Sequence, residues 1–243
     1  MHFFLDYLMN QYCDPFEHAR RVFLFLIYVT IKIIMETLGK LFGSADRVKI
    51  MRLFLSNSET MFDASDVISR SKVSKKNLSR EMRILESAGF VKGKSFFKEF
   101  QKKVGTKMKT TKKRVSGWQL DASYEHVKAL RTLLVENSSF EHRDLLTRFK
   151  PLGKFKLIVV AGIFIKNPDS RLDLLIVGDA LKKGPIENAI RLIESEIGRE
   201  LVYTMFTTDD FLYRLNMQDK LVRDILDYPH EKILDLTGTP LSR

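Results

Sequence analysis

Six side-chain hydrogen-bond donors crowd a single nine-residue stretch: Lys75, Lys76, Asn77, Ser79, Arg80 and Arg83. These side chains suit one kind of chemistry. Lys and Arg neutralise phosphates, Arg can fork onto the O6 and N7 of guanine, and Asn can pair with the N6 and N7 of adenine. Between them Leu78, Met82 and Leu85 recur at i, i+4 and i+7. That spacing predicts a helix with an apolar stripe inward and the polar residues outward, most of them near its first turns. Ser74 can cap its start and Ala88-Gly89 can end it. Taken alone, the pattern also describes an ordinary solvated helix face.

The neighbouring elements decide between these readings. Upstream, Ser44 can cap a helix carrying Val48, Ile50, Met51, Leu53, Phe54 and Leu55. Asp63 can cap a short second helix with Val67 and Ile68 inside, broken by Ser71-Lys72-Val73-Ser74. Downstream, residues 92–114 hold ten Lys or Arg against the single Glu99, nine of the chain's net +11 charges. Phe90-Val91 with Ser95-Phe96-Phe97, and Val115 to Leu120, read as two strands around a polar loop containing Gly105. A basic hairpin of this kind lies along a phosphate backbone and adds affinity with little sequence information. Its candidate contacts are Lys94, Lys102, Lys103, Lys107, Lys109, Lys112 and Lys113. A disordered solubilising loop is the alternative, but it leaves unexplained why the charge follows directly on a basic helix.

Residues 44–120, with the Leu-Glu-Ser-Ala-Gly-Phe-Val-Lys turn at 85–92 and the Gly117-Trp118-Gln119-Leu120 strand, resemble the winged-helix transcriptional regulators of the ArsR-like superfamily. The resemblance covers about a third of the chain. It implies a winged helix-turn-helix over 44–122, with double-stranded DNA as partner. Metal sensors of that superfamily need a thiolate cluster. The single cysteine, Cys13, lies outside the domain, so thiolate sensing is unsupported and no cofactor is expected. One cysteine also excludes an intrachain disulfide and is compatible with a cytoplasmic location.

The second half differs in composition. Residues 151–243 carry 13 Lys or Arg against 14 Asp or Glu. Residues 123–150 read as linking helices with two apolar stripes, Val127, Leu130, Leu133 and Leu134, then Leu145, Leu146 and Phe149. Such stripes belong to a core or to a dimer seam. Pro151-Leu152-Gly153 marks the boundary. Apolar strands are predicted at 156–162, 172–178, 201–206 and 232–236, with helices opened by Pro185 and capped by Thr208. The expected fold class is α+β: an N-terminal winged helix-turn-helix followed by a small nucleotidyltransferase-like α/β domain.

That second expectation rests on a resemblance to the minimal nucleotidyltransferase domain. In that family a Gly-Ser turn after the first strand grips the nucleotide phosphates. A Ser-Asp-x-Asp run on the second strand then supplies carboxylates that hold Mg²⁺ and align an in-line attack. Here Gly162 is followed by Ile163, and Ser170 by Arg171, while Asp173 keeps the second carboxylate. The phosphate grip has lost its hydroxyl, and one of the two metal carboxylates has become a cation. The resemblance therefore implies a decayed pocket of Gly162, Ser170, Arg171 and Asp173 with no catalysis and no metal. Asp173 would then pair with Arg171 or cap a strand end, and Glu200 is a further carboxylate by position.

Residues 1–43 carry an apolar run, Val22 to Met35, behind Arg20-Arg21. A spanning helix needs ~20 apolar residues, and this run is shorter and contains Lys32, so stable membrane insertion is not expected. Two readings stay open: translation beginning at Met35, or an added helix packing in a homodimer seam. The five histidines are scattered without metal-ligand spacing. Three functions follow: a DNA-binding transcriptional regulator first, then an active nucleotidyltransferase tethered to nucleic acid, then an antitoxin-like interaction protein.

Overall fold

The computed structural model describes residues 37–104, 107–136, 142–167 and 169–238, and the side chains of all of these except 102–104, 107–109 and 142–144. The apolar run at 22–35 and the choice between start sites lie outside the described residues.

The first unit contains three capped helices. Helix α1 (Ala45–Ser56) begins at Ser44, whose hydroxyl accepts from the Arg47 N–H, as its sequence predicts. A two-residue strand β1 (Phe62–Asp63) leads into α2 (Ala64–Ser71), where Asp63 and Asp66 form a reciprocal capping box. Helix α3 (Lys75–Ser87) is capped by Ser74 and ends before Gly89. Strands β2 (Val91–Val104) and β3 (Lys107–Leu120) form an antiparallel ribbon, and β1 pairs with β3 to complete a three-stranded sheet. The predicted polar loop is therefore largely strand: pairing is continuous from Val91↔Leu120 to Val104↔Lys107. Lysines carry no apolar period to announce a strand. Yet Phe100, Thr110 and Thr111 suit one, and the paired backbone satisfies itself whatever the side chains do. Fourteen residues per strand at ~3.3 Å each make a ribbon about 46 Å long.

The core of this unit gathers Phe54, Phe62, Leu78, Met82, Leu85, Phe90 and Leu120. The expected linker divides in two. Helix α4 (Val127–Arg131) and the π-turn Thr132–Glu136 place Leu134 in this first core. Helix α5 (His142–Phe149) instead places Leu145 and Phe149 in the second, so the C-terminal unit starts before Pro151.

That second unit is a four-stranded mixed sheet in the order β6-β5-β4-β7. Its strands are β4 (Lys154–Val160), β5 (Leu174–Asp179), β6 (Tyr203–Phe206) and β7 (Glu231–Asp235); β4 is antiparallel to β5 and β7, and β5 is parallel to β6. Side chains alternate between two buried faces. Leu157, Val159, Leu175 and Val177 pack toward α7 (Thr208–Asn216) and α8 (Lys220–Asp227). Ile158, Val160, Leu174 and Ile176 pack toward α5 and α6 (Lys183–Ile197). A sheet covered on both faces has no polar face, which is why its strands read as unbroken apolar runs. Thr207, one residue before the predicted Thr208, caps α7, while Thr208 hydrogen-bonds Asp179.

The protein is thus α+β with two sheets, and the two units are docked directly. Arg52 on α1 is buried; its Nε donates to the Leu134 carbonyl and its Nη1 to the Glu196 carbonyl, at 2.8 and 2.9 Å. Burial pulls its pKa down, partly countered by Glu196. Asn57 donates to the Gly198 carbonyl at 2.9 Å. Gly198 has φ +82 and lies so close to α1 that a Cβ there would sit 2.4 Å from the Arg52 carbonyl carbon. Among the described residues no helix is long and apolar enough to cross a membrane.

Candidate nucleic-acid interface

The first turns of α3 project from the unit. Lys75, Lys76, Ser79 and Arg83 are exposed, and their side chains make no hydrogen bond or ion pair among the described residues. Leu78, Met82 and Leu85 are buried beneath them. The other two predicted base readers are engaged. The Asn77 side chain is turned inward and donates to Asp46 on α1 at 2.6 Å. Arg80 donates through Nε and Nη2 to Glu81, at 3.0 and 2.8 Å, although it stays 64% exposed. Glu81 also accepts from Arg47 Nε at 2.8 Å. Burial alone would raise the Glu81 carboxyl, but hydrogen bonds from Arg80 and Arg47 outweigh it and hold it below the usual carboxylate range. Glu81 therefore ties α1 to α3 and fixes where the exposed first turns of α3 stand.

The ribbon starts beside this helix. Its register sets Lys98 opposite Lys113 and Lys102 opposite Lys109; like charges so paired repel unless another charge meets them. Lys98 is met from within. Its ammonium donates to Asp63 at 2.8 Å and Asp66 at 2.6 Å, pinning the ribbon to the start of α2. Burial pushes Asp63 up, but hydrogen bonds from Lys98, Ser65 and the Asp66 N–H, with the Lys98 charge, bring it down to about 2. Nothing in the basic run distinguishes Lys98. Its partners are the capping carboxylates at i and i+3, a cation-attracting pair visible in the sequence. Lys94 donates to Gln119 at 2.7 Å, and Lys112 pairs with Glu99 at 3.1 Å with both side chains exposed. Lys113 stands 6.0 Å from the Phe100 ring centroid. Arg114, opposite the 73% exposed Phe97, is exposed and has no ion pair among the described residues; it is a cation of the basic run that the sequence reading left out of its candidate contacts. The backbones of Lys102, Lys103, Lys107 and Lys109 lie in the strands, and their side chains are outside the described residues.

Of the residues of the second unit named above, Gly162 and Asp173 meet at one turn. Gly162 has φ +53, and a Cβ there would lie against Asp173 Oδ1, so the backbone must be glycine to pass so close. Asp173 is 8% exposed. Its Oδ1 accepts from the Ile163 N–H and its Oδ2 from the Val202 N–H, both at 2.9 Å. Arg171 does not pair with Asp173; it reaches Asp224 on α8 at 2.7 Å. Ser170 donates to the Leu172 carbonyl. Glu200 pairs with Arg70 of the first unit at 2.8 Å and not with this turn. Among the described residues no three His, Cys, Asp or Glu side chains are grouped to hold a metal. No family model, curated protein or solved structure matches the chain.

Proposed function

We propose that the chain is a duplex-DNA-binding transcriptional regulator whose first unit is a winged helix-turn-helix. The observation that carries this reading is the exposed, unpartnered set Lys75, Lys76, Ser79 and Arg83 on the capped first turns of α3, beside a long basic ribbon. Those turns enter the major groove, with Arg83 and the two lysines on base edges or flanking phosphates. Glu81 holds the helix at its angle to α1. The ribbon follows the backbone, and its counterion release supplies affinity that falls with salt. Arg80 can exchange one carboxylate contact for a phosphate; Asn77 serves the fold through Asp46. Selection from a random duplex pool tests the reading. An enriched motif that is lost in the Lys75→Ala/Lys76→Ala/Arg83→Ala variant is expected. Equal recovery of random duplex and single strand, with no motif, would overturn it.

The second unit is proposed as a non-catalytic relative of the minimal nucleotidyltransferases. What supports this is the engagement of its one retained carboxylate. Both Asp173 oxygens accept from backbone N–H groups, and Arg171 sits where a metal-binding Asp belongs. A cation there would have to displace two hydrogen bonds. The expected result is no Mg²⁺-dependent transfer of label from any ribonucleoside triphosphate to RNA, to a protein or to the chain itself. Transfer that disappears in Asp173→Ala would favour the tethered-enzyme alternative.

A further inference from the structure

Between the two units lies a cleft of about 370 Å³. It is walled by Arg70 and Lys72 from the α2 end and by Arg191, Glu194, Arg199 and Glu200 from the α6–β6 turn. Its volume falls at the small end of small-molecule sites, which run about 300–1,000 Å³.

The charges in this cleft do not balance locally. Each carboxylate accepts at least one hydrogen bond, but Glu194 accepts only from a neutral backbone N–H and also feels the charges of Arg191 and Lys72. Asp66 at its edge receives Lys98 and the Asp63 N–H, Glu194 receives the Leu201 N–H at 2.9 Å, and Glu200 receives Arg70. Arg70 is held a second time by the Phe62 ring, 5.2 Å away. Among the described residues, Arg191 hydrogen-bonds only the neutral Asn188. The Lys72 ammonium and the Arg199 guanidinium are exposed and, among those residues, have no hydrogen bond or ion pair. The lining carries four cations against three carboxylates, one of which, Asp66, is also taken up by Lys98, so the excess charge is positive, and it comes from both units. Lys72 is also the left-handed cap of α2, φ 56, in the turn that leads to α3.

We propose that this cleft binds a small multivalent phosphate anion bridging Lys72 of the first unit to Arg199, with Arg191, of the second. A diphosphate has enough oxygens to meet both cations at once, and charge-assisted hydrogen bonds to Lys and Arg are the stronger kind. A ligand held from both sides stabilises the docked arrangement, because only that arrangement assembles the site. The proposal does not depend on DNA binding.

The test is titration calorimetry of the full chain with inorganic pyrophosphate. One site per chain is expected, weakened at least tenfold in Lys72→Gln/Arg199→Gln and in the single variant Arg199→Glu. Both positions are exposed, and circular dichroism checks that the variants fold. Lys112→Gln/Lys113→Gln on the ribbon removes the same charge elsewhere and should stay within twofold of the parent. Three results would each overturn the proposal: no binding, equal weakening in the ribbon variant, or one-for-one displacement of pyrophosphate by duplex DNA. The last would make Lys72 and Arg199 backbone contacts of the nucleic acid.

Discussion

Replacing Gly198 by Ala should undock the two units. The residue is the left-handed cap of α6, and an L-residue there costs about 1–2 kcal/mol in backbone conformation alone. The added methyl would also sit 2.4 Å from the Arg52 carbonyl carbon and 2.6 Å from its oxygen. Carbon atoms settle at about 3.5–4.0 Å, so the end of α6 must retreat by roughly 1 Å from α1. A retreat of that size carries the Asn57–Gly198 and Arg52–Glu196 hydrogen bonds, both 2.9 Å, out of range. Breaking a neutral bond and one from a charged group adds about 2–4 kcal/mol. The destabilisation totals roughly 3–6 kcal/mol, concentrated at the docking surface. The chain has one tryptophan, Trp118, which packs on the first core, so its fluorescence follows the first unit alone, whereas far-ultraviolet dichroism follows both. In urea the two transitions should separate in Gly198→Ala. Asn57→Ala, which leaves the α6 cap intact, should move them apart in the same direction but by less. Transitions in Gly198→Ala that coincide at the parental midpoint would refute the reasoning.

Other consequences are checked separately. Lys75→Ala/Lys76→Ala/Arg83→Ala should reduce the slope of log K against log salt by about 0.9 for each phosphate that is no longer neutralised; a parental slope would remove α3 from the interface. Lys102→Ala/Lys103→Ala/Lys107→Ala/Lys109→Ala should weaken all duplexes alike, measured as an unchanged ratio of motif to random affinity. Asp63 lies near 2 against an ordinary 3.8, and a depressed carboxylate stabilises above its unfolded pKa and ceases to as pH falls through the folded one. The parent should therefore lose more Tm between about pH 4 and pH 2 than Asp63→Asn does, and equal acid slopes would contradict the Lys98 anchor. Glu81→Gln should weaken α3's attachment, lowering Tm by several degrees, since a buried partner of two guanidiniums loses its charge; no change in Tm would dismiss that role.

Sequence carried the local half of this fold and little of the long-range half. The caps at Ser44, Asp63 and Ser74 fall where their side-chain chemistry places them, because a cap is decided within four residues. The stripe Leu78, Met82, Leu85 is buried for the same reason. The length of the ribbon was hidden, since a lysine-rich strand pair has no apolar face to reveal its period. Asn77 turns inward because Asp46 lies 31 residues upstream on α1, a distance at which the sequence offers no signal. Arg171 likewise finds Asp224 on α8, 53 positions away, and not the nearby Asp173. The Gly162–Asp173 turn was legible as a meeting of residues, while the direction of Asp173 Oδ2 was settled by the segment entering β6 alongside.

The commitment of Asp173 sets how a metal site could be built on this unit. Placing an acid at position 171 would free Asp224 of its guanidinium and bring another carboxylate near Asp173. It would still leave both Asp173 oxygens fastened to the Ile163 and Val202 amides, which join the first turn to the third strand of the sheet. Pulling that carboxylate toward a cation would loosen the seam it closes, so the gain of a ligand and the removal of a fastener arrive together. Single substitutions are therefore a poor route to a metal site here. A designer would first have to supply other acceptors for those two amides, and only then recruit Asp173.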